Sequence, residues 1–586
     1  MERIIKRMIK NLLINIAQGF RKIRYADSFE NSTKNSRVYQ EQVLKDLINE
    51  NKNTDFGKKY SFSNMNSYKD YSDKVPINSY SSLDNFITRE KSGERNVLTK
   101  NSAVFFATSS GTTGKPKFIP INSSFLKDHK SGWETWLYHA LKDHPKMFDN
   151  KVLALVSPAI EGYTQGRIPF GSMTGLTYEQ EPKMVKNFYC VPEVVFSIKD
   201  YEARYYCILR IALENKISFI ITPNPSTILL LCSKINGFKD ELIKDIHEGT
   251  LSNNYVIEPE IRLHIEKIIE PNPDRADQLR NCFQKSKELL PRDYWPELQL
   301  IGCWTGGSMP LYIRRFKHFF GNVNIRDLGL LCSEGRVTIP ISDNSRGGVL
   351  SVNTAFFEFI QDTDIESVER GVERVECVER GVESDIGNNI ESRNPKVFLS
   401  DELKEDQNYS VIMTNSSGLY RYNLKDIVRV IGYHNKTPIL EFLNRGEHVT
   451  SITGEKLTEW QVVNSMHKCA EKLDLHVHHF TLSVKWAKTP HYELLIEMNE
   501  NVSDQKLKKC ITLFDNELKK LNCEYKSKRN SMRLGKPVLK LVKQGSYEKL
   551  IKHKVKNGYR DSQLKLPCLV QKLGFEKKFQ ILKEMK

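Results

Sequence analysis

No apolar run in this 586-residue chain reaches the roughly 18 residues that a membrane-spanning helix needs. Its 11 cysteines include no CxxC pair, so neither a zinc site nor a disulfide framework is indicated, and a reduced, cytoplasmic setting is expected. DNA- and RNA-binding motifs are missing too. The net charge of +16 is carried by lysines spread among acidic residues, which reads as a solvated basic surface around an anionic substrate rather than a nucleic-acid interface. A 39% hydrophobic fraction is ordinary for a globular protein, and the length exceeds one core, so two domains are expected, one of them large.

The most informative stretch is Ala103 to Ile121, AVFFATSSGTTGKPKFIPI. An apolar run stops at Thr108, and a second β-like run, Phe118 to Ile121, follows the polar segment: strand, loop, strand. Gly111 and Gly114 admit backbone conformations closed to other residues, the hydroxyls donate to phosphate oxygens, and Lys115 and Lys117 supply charge. A Walker loop is excluded, because it requires four residues between its glycines and Gly-Lys-Ser/Thr opening a helix. A polyphosphate-holding loop is the reading, with an inert hairpin turn as the alternative.

Ser123 or Ser124 is expected to cap a helix to about Leu141. Lys151 to Val156 reads as a buried strand, and helix-like and strand-like stretches alternate onward to Ile301, which predicts a layered α/β domain. Ser226 is a plausible helix N-cap after the apolar run Ile217 to Ile221. Then Trp304-Thr305-Gly306-Gly307-Ser308-Met309-Pro310 forms a glycine-rich turn before a helix, and Leu328 to Gly335 ends in Cys332-Ser333-Glu334-Gly335. Two such turns at neighbouring strand ends open onto one sheet edge, where ligands of α/β domains bind. Glu334 is therefore a candidate magnesium ligand.

The segment Val368 to Glu373 recurs as Val378 to Glu383, and residues 366–394 read as a low-complexity acidic insert without a catalytic role. Tyr409 to Thr414 is strand-like. In the following Gly418-Leu419-Tyr420-Arg421-Tyr422-Asn423-Leu424-Lys425-Asp426, the carboxylate of Asp426 lies between strand-like segments and can accept two hydroxyl hydrogen bonds of a ribose. A boundary is expected near Asn444 to His448, dividing a large domain (1–444) from a small α+β domain (445–586) with helices at Thr458 to Leu473, Asp504 to Leu521 and Tyr547 to Lys556. His476, His478 and His479 fall on alternating faces of a strand and are read as structural.

Residues Met1 to Tyr25 read as an amphipathic helix with Leu12, Ile16 and Phe20 near one face and basic residues around it. Packing onto the parent domain is the favoured reading, and contact with a membrane surface is the alternative.

Taken together, SSGTTGKPK, TGGSMP with CSEG, YRYNLKDIVRV and GEKLTE at Gly454 to Glu459 resemble the Gretchen Hagen family of acyl acid amido synthetases, the auxin-responsive promoter family, within the adenylate-forming superfamily. The resemblance implies an ATP- and Mg2+-dependent ligase that activates a small carboxylic acid as its acyl-AMP and passes the acyl group to an amine, an amino acid being expected. Ser109, Ser110, Gly111, Thr112 and Thr113 would cradle the triphosphate, with Gly306, Gly307 and Ser333 lining the nucleotide. Glu334 would hold magnesium and Asp426 the ribose. Lys456 and Lys565 would be the catalytic lysines, reaching the phosphates from a small domain that turns about Arg445. The sequence departs from the family at Leu330, where an aromatic is frequent, and at Lys425, where glycine is usual. An acyl-CoA ligase and a nucleotide-binding relative without catalysis are the rival functions, and no oligomeric state is read.

Overall fold

In a computed structural model, the chain is described over residues 2–109, 117–307, 309–343, 345–361, 395–445, 449–450, 452–453, 455, 457–487, 489–498, 502–556 and 566–585. Among these residues the large domain is built on three sheets. Phe105–Ser109 and Lys117–Ile121 pair antiparallel from Phe105 opposite Ile121 to Ser109 opposite Lys117, so the expected strand, loop, strand is a hairpin. Two more strands, Pro169–Gly171 and Ile160–Tyr163, complete that sheet.

Lys151–Ala154, Ile217–Ile221, Leu300–Cys303 and Asn324–Asp327 lie side by side in that order, all parallel. Their apolar character follows from helices on the faces: Leu300–Cys303 is buried throughout and Ile217–Ile221 nearly so. The third sheet is a seven-stranded antiparallel wall whose centre is the long pair Tyr422–His434 and Thr437–Arg445, flanked by Asn408–Thr414 and Phe356–Gln361.

Caps decide where the helices begin. The helix Ser123–Asp143 is capped by Asn122, whose side chain accepts from Phe125 N at 2.9 Å, not by Ser123 or Ser124. Similarly Asn224, not Ser226, caps Pro225–Glu248 and takes both the amide and the hydroxyl of Ser226. In each case the asparagine oxygen reaches the free amides from one or two residues earlier.

The first helix, Glu2–Arg21, continues as a π-helical turn, Lys22–Ala26. It docks on the Ser123–Asp143 region by the stripe Lys10, Ile14, Gln18 and Arg21. Lys10 Nζ donates to Asp149 O at 2.8 Å, Gln18 Nε2 to Tyr138 O at 2.8 Å, and Arg21 Nε to Glu134 at 2.7 Å, while Ile14 packs on the core around Phe29 and Trp136. The predicted apolar face is the one left outside: Leu12, Ile16 and Phe20 are each about 60% exposed (60%, 61% and 58%). Helix amphipathicity identified a face, and tertiary packing buried a different one. None of the described helices is long and apolar enough to cross a membrane.

The small domain has its own core on a five-stranded sheet of Leu569–Val570, Val477–Lys485, His491–Met498, Val538–Val542 and Ile581–Met585. The helices Glu459–Lys472, Asp504–Leu521 and Ser546–Lys556 match the expectation. Thr458 caps the first in a capping box with Gln461. Several contacts among the described residues join the domains, Arg429 over the Trp460 ring and Arg314 on His467 O among them. Lys234 and Lys552 share Glu202 and Glu548 in one ion-pair network, and the Tyr312 hydroxyl lies 3.3 Å from His479 Nδ1. Burial pushes His479 down to about 4, so it stays neutral between the two domains. The acidic insert, residues 366–394, lies outside the described residues.

Candidate active site

The hairpin Phe105–Ser109/Lys117–Ile121 carries the phosphate-loop residues between its strands. Ser109 closes the first strand, and Ser110, Gly111, Thr112 and Thr113 lie outside the described residues. The next residue after the hairpin, Asn122, donates from Nδ2 to Ser416 O at 2.7 Å, and the Ser416 hydroxyl donates to Asp128 at 2.5 Å. The open end of the hairpin, away from the loop, is thereby tied to the turn that precedes Arg421.

Glu334 reaches the same turn from another direction. Leu331–Cys332 and Gly335–Arg336 form a tight hairpin with Cys332 opposite Gly335, so Ser333 and Glu334 are its two tip residues. Ser333 is half-buried and Glu334 buried. Asn415 Nδ2 donates to Glu334 O at 2.6 Å, while Asn415 Oδ1 accepts from Ser417 N, the Ser417 hydroxyl and Leu419 N. One asparagine thus joins the acidic tip to the 415–419 turn. Upstream, Gly329 holds φ +81°, and a Cβ there would stand 2.5 Å from Thr338 O, so the approach to the tip requires glycine. Leu330 is fixed through its amide on the Thr338 hydroxyl at 2.8 Å.

The glycine turn completes the enclosure. Gly307, at φ +61°, donates its amide to Phe442 O at 3.3 Å, and Phe442 lies opposite Val428 in the central wall. Asp327, at the carboxyl end of the parallel sheet, accepts from Thr305 N and Gly329 N. Burial outweighs those amides and pushes its carboxyl up to about 6.

Asp426 is buried within the single strand Tyr422–His434 rather than between two strands. The register slips directly after it, between Ile427 and Val428, and Lys425 sits at φ +60°. That left-handed turn gives a physical meaning to the glycine usual at this position: a lysine there bears strain that glycine would not.

Sequence reasoning passed over the residue that fastens this segment. Arg421, itself at φ +46°, buries its guanidinium on Glu358. Nε lies 3.1 and 3.0 Å from the two carboxylate oxygens and Nη2 2.8 Å from one, while Nη1 donates to Ser72 O and Val75 O. A buried fork-to-carboxylate pair with every edge used fixes orientation strongly. Arginine in YRYN was a sequence signal, but its partner lies 63 residues away.

From the small domain, Lys456 and Lys565 lie outside the described residues, and their flanks are held. Glu455 accepts from Ile452 N, Thr453 N and the Tyr492 hydroxyl, and its carbonyl accepts from Asn522. Beyond Lys565, Pro567 O accepts from Thr481 and Cys568 N donates to Glu459.

A large α/β domain that carries the Ser109 hairpin, the Glu334 tip and the Asp426 strand, joined to a small α+β domain, has the architecture of the adenylate-forming enzymes. The comparisons narrow this class. The GH3 family N-terminal domain matches residues 25–325, its central domain 348–445 and its C-terminal domain 460–573. The chain belongs to the GH3 family, the acyl acid amido synthetases of the adenylate-forming superfamily. Similar proteins include jasmonoyl-L-amino acid synthetase JAR6 of Nicotiana attenuata, 28% identical with 96% of each chain covered. Another is indole-3-acetic acid-amido synthetase GH3.10 of Arabidopsis thaliana, 24% identical with 89% of this chain and 90% of that one covered. Among solved structures, the GH3.15 acyl acid amido synthetase superposes with a TM-score of 0.80 at 20% identity, with 95% of each chain covered.

Proposed function

We propose that this chain binds ATP across the site described above, adenylates a small carboxylic acid and conjugates it to an amino acid. The observation that carries the reading is that five separate sequence segments are linked to one another by hydrogen bonds. The hairpin meets the 415–419 turn through Asn122, Glu334 meets it through Asn415, and the Gly306-Gly307 turn meets the Asp426 wall through Phe442 O.

In the first half-reaction a carboxylate oxygen attacks the α-phosphorus, a new C–O–P bridge forms and pyrophosphate leaves. In the second, the amine nitrogen attacks the carbonyl carbon, gives up a proton, and AMP leaves with the bridging oxygen. Ser109 to Thr113 hold the triphosphate, Asp426 the ribose hydroxyls, and Gly306, Gly307 and Ser333 line the nucleotide. Lys456 and Lys565 offset phosphate charge at different stages, as the small domain turns about residue 445, where we place the boundary. The amine needs no Ser/His/Asp relay, since a deprotonated amine is nucleophilic by itself.

The donor set fits magnesium. No group of three or more His, Cys, Asp or Glu is gathered for a metal among the described residues, and Glu334 is a single buried carboxylate on a fixed tip, which suits an ion held by one carboxylate together with substrate phosphates. When bound, Mg2+ lowers the repulsion between the acid and the phosphates.

Carboxylate-dependent exchange of labelled pyrophosphate into ATP tests this reading. Exchange with one acid of a panel, reduced about 10²-fold or more in Asp426→Ala by analogy with the loss of one preorganised site contact, is the expected result. ATP binding without exchange for any acid would leave a nucleotide-binding protein that has lost the chemistry.

A further inference from the structure

Three buried arginines of this chain can be compared edge by edge. Arg421 donates from Nη1 to two carbonyls and grips Glu358 with the Nε/Nη2 edge. Arg529 does the same with Leu534 O on Nη1 at 2.8 Å and Asp515 on Nε and Nη2, at 2.9 and 3.0 Å. Arg336 repeats the pattern on one side only: Nη1 donates to Leu328 O at 2.8 Å and Thr338 O at 3.4 Å. Its Nε and Nη2 are buried and meet no acceptor among the described residues. That edge is the one that takes a carboxylate side-on in the other two cases.

The surroundings are built for this side chain. Arg336 is 4% exposed, and its guanidinium lies 4.6 Å from the centre of the Trp133 ring. Gly132 is the residue that makes room, since a Cβ there would meet Arg336 Cδ at 2.5 Å and Nε at 2.8 Å. His129 sits one helical turn away. Its Nε2 accepts from Trp133 Nε1 at 3.0 Å, which leaves the proton of a neutral ring on Nδ1, and Nδ1 is likewise buried without a partner. The unmet groups here are all donors and one is a full cation, so the missing species is an anion.

Position says which anion. Arg336 follows the acidic tip at Glu334 by two residues on the same hairpin, and it is anchored on Leu328, just past the carboxyl end of the parallel sheet. It therefore stands between the end of that sheet and the helix Ser123–Asp143, against Gly132 and Trp133 of that helix. We propose that the acid activated by this chain carries a second acidic group, a dicarboxylic acid being the substrate class, and that Arg336, with His129 beside it, receives the carboxylate that does not react. This rests on the acyl-activating reading above. Arg336 is in this view a specificity-determining residue for the acid.

The test is pyrophosphate exchange with matched acids, adipate against hexanoate and carboxyphenylacetate against phenylacetate, in the full-length wild type, Arg336→Met and Arg336→Lys. The expected result is a wild-type preference for the diacid, and a fall of about 10²-fold or more in the diacid-to-monoacid ratio of kcat/KM for Arg336→Met, expressed mainly in KM. Arg336→Lys, which keeps the charge and loses the fork, should recover part of the ratio. A wild-type preference for monoacids, or a ratio unmoved in both variants, overturns the proposal while leaving adenylation intact. Absence of exchange with every acid is failure of the adenylation reading instead. Calorimetric binding of adipate to wild type and to Arg336→Met then decides the Arg336 site by itself: binding lost in the variant supports it, and equal or absent binding overturns it. Should Arg336→Met fail to fold, Arg336→Lys and His129→Gln carry the same comparison.

Discussion

The wall behind Arg421 and the buried surroundings of Arg336 use the same side chain to opposite ends. Around Arg421 every polar edge is matched within the chain: Glu358 takes the fork, Tyr68 donates to the same carboxylate at 2.9 Å, and Tyr71 meets Thr414 at 2.8 Å. Around Arg336 the donors Nε, Nη2 and His129 Nδ1 find no acceptor among the described residues. A closed network defines the frame, because removing one member strands a buried charge. An open one defines a place that only a ligand completes.

The sharpest way to break this contrast is to delete the carboxylate in the closed network. Glu358→Ala should cost about 3–5 kcal/mol, because Arg421 is left buried and unpaired. Glu358→Leu combined with Arg421→Met should recover most of that loss in a double-mutant denaturant titration. If the single variant cost no more than a surface change, the frame reading of Arg421 would be wrong. Arg336→Met, measured in the same way without substrate, should alter stability by much less than Glu358→Ala, since it removes only the Nη1 bonds to Leu328 O and Thr338 O while its Nε and Nη2 have no acceptor among the described residues.

The contrast extends to acid and base. In the large domain, burial pushes Glu90 up to about 7 against the amide of Leu98, and pushes Asp128 up to about 7 despite the Ser416 hydroxyl. Folded values above the unfolded ones mean that the stability they contribute is complete below about pH 4 and is lost as pH rises towards 7. In the small domain, Lys520, and then Lys472 and Lys468, pull Glu517 down to about 2. Its contribution is present above about pH 4.5 and is lost as pH falls towards 2. Hydrogen exchange should accordingly show the large domain opening more readily between pH 5 and about 7.5, and the small domain only on strong acidification. Glu90→Gln should flatten the first trend and add on the order of 1–3 kcal/mol at pH 8. The smallest effect belongs to Lys425→Gly, which should raise the melting temperature slightly through relief of a left-handed backbone worth about 1 kcal/mol.

Several elements were legible before any coordinates. The hairpin around the polar loop, the buried strands near Lys151, Ile217 and Leu300, and the helix Asp504–Leu521 follow from local patterns of apolar residues and breakers. The capping errors at Ser123 and Ser226 were errors of one or two residues, because asparagine and serine compete for the same role and only backbone geometry chooses. The strand around Asp426 was legible in its flanking segments, whereas the register slip beside it was not, since a bulge depends on the partner strand. Leu12, Ile16 and Phe20 formed the expected stripe and were left outside. Periodicity states which side chains share a face, not which face another element covers.

The sequence by itself determined the order of elements, the two-domain plan and the family, all of which depend on neighbours along the chain. Only the tertiary structure decided that Arg421 has its carboxylate and Arg336 does not. That distinction rests on groups brought together from distant positions, Glu358 to Arg421 in one case and Gly132, Trp133 and His129 to Arg336 in the other. In a buried, poorly solvated interior, the presence or absence of one such partner separates a structural charge from a binding one.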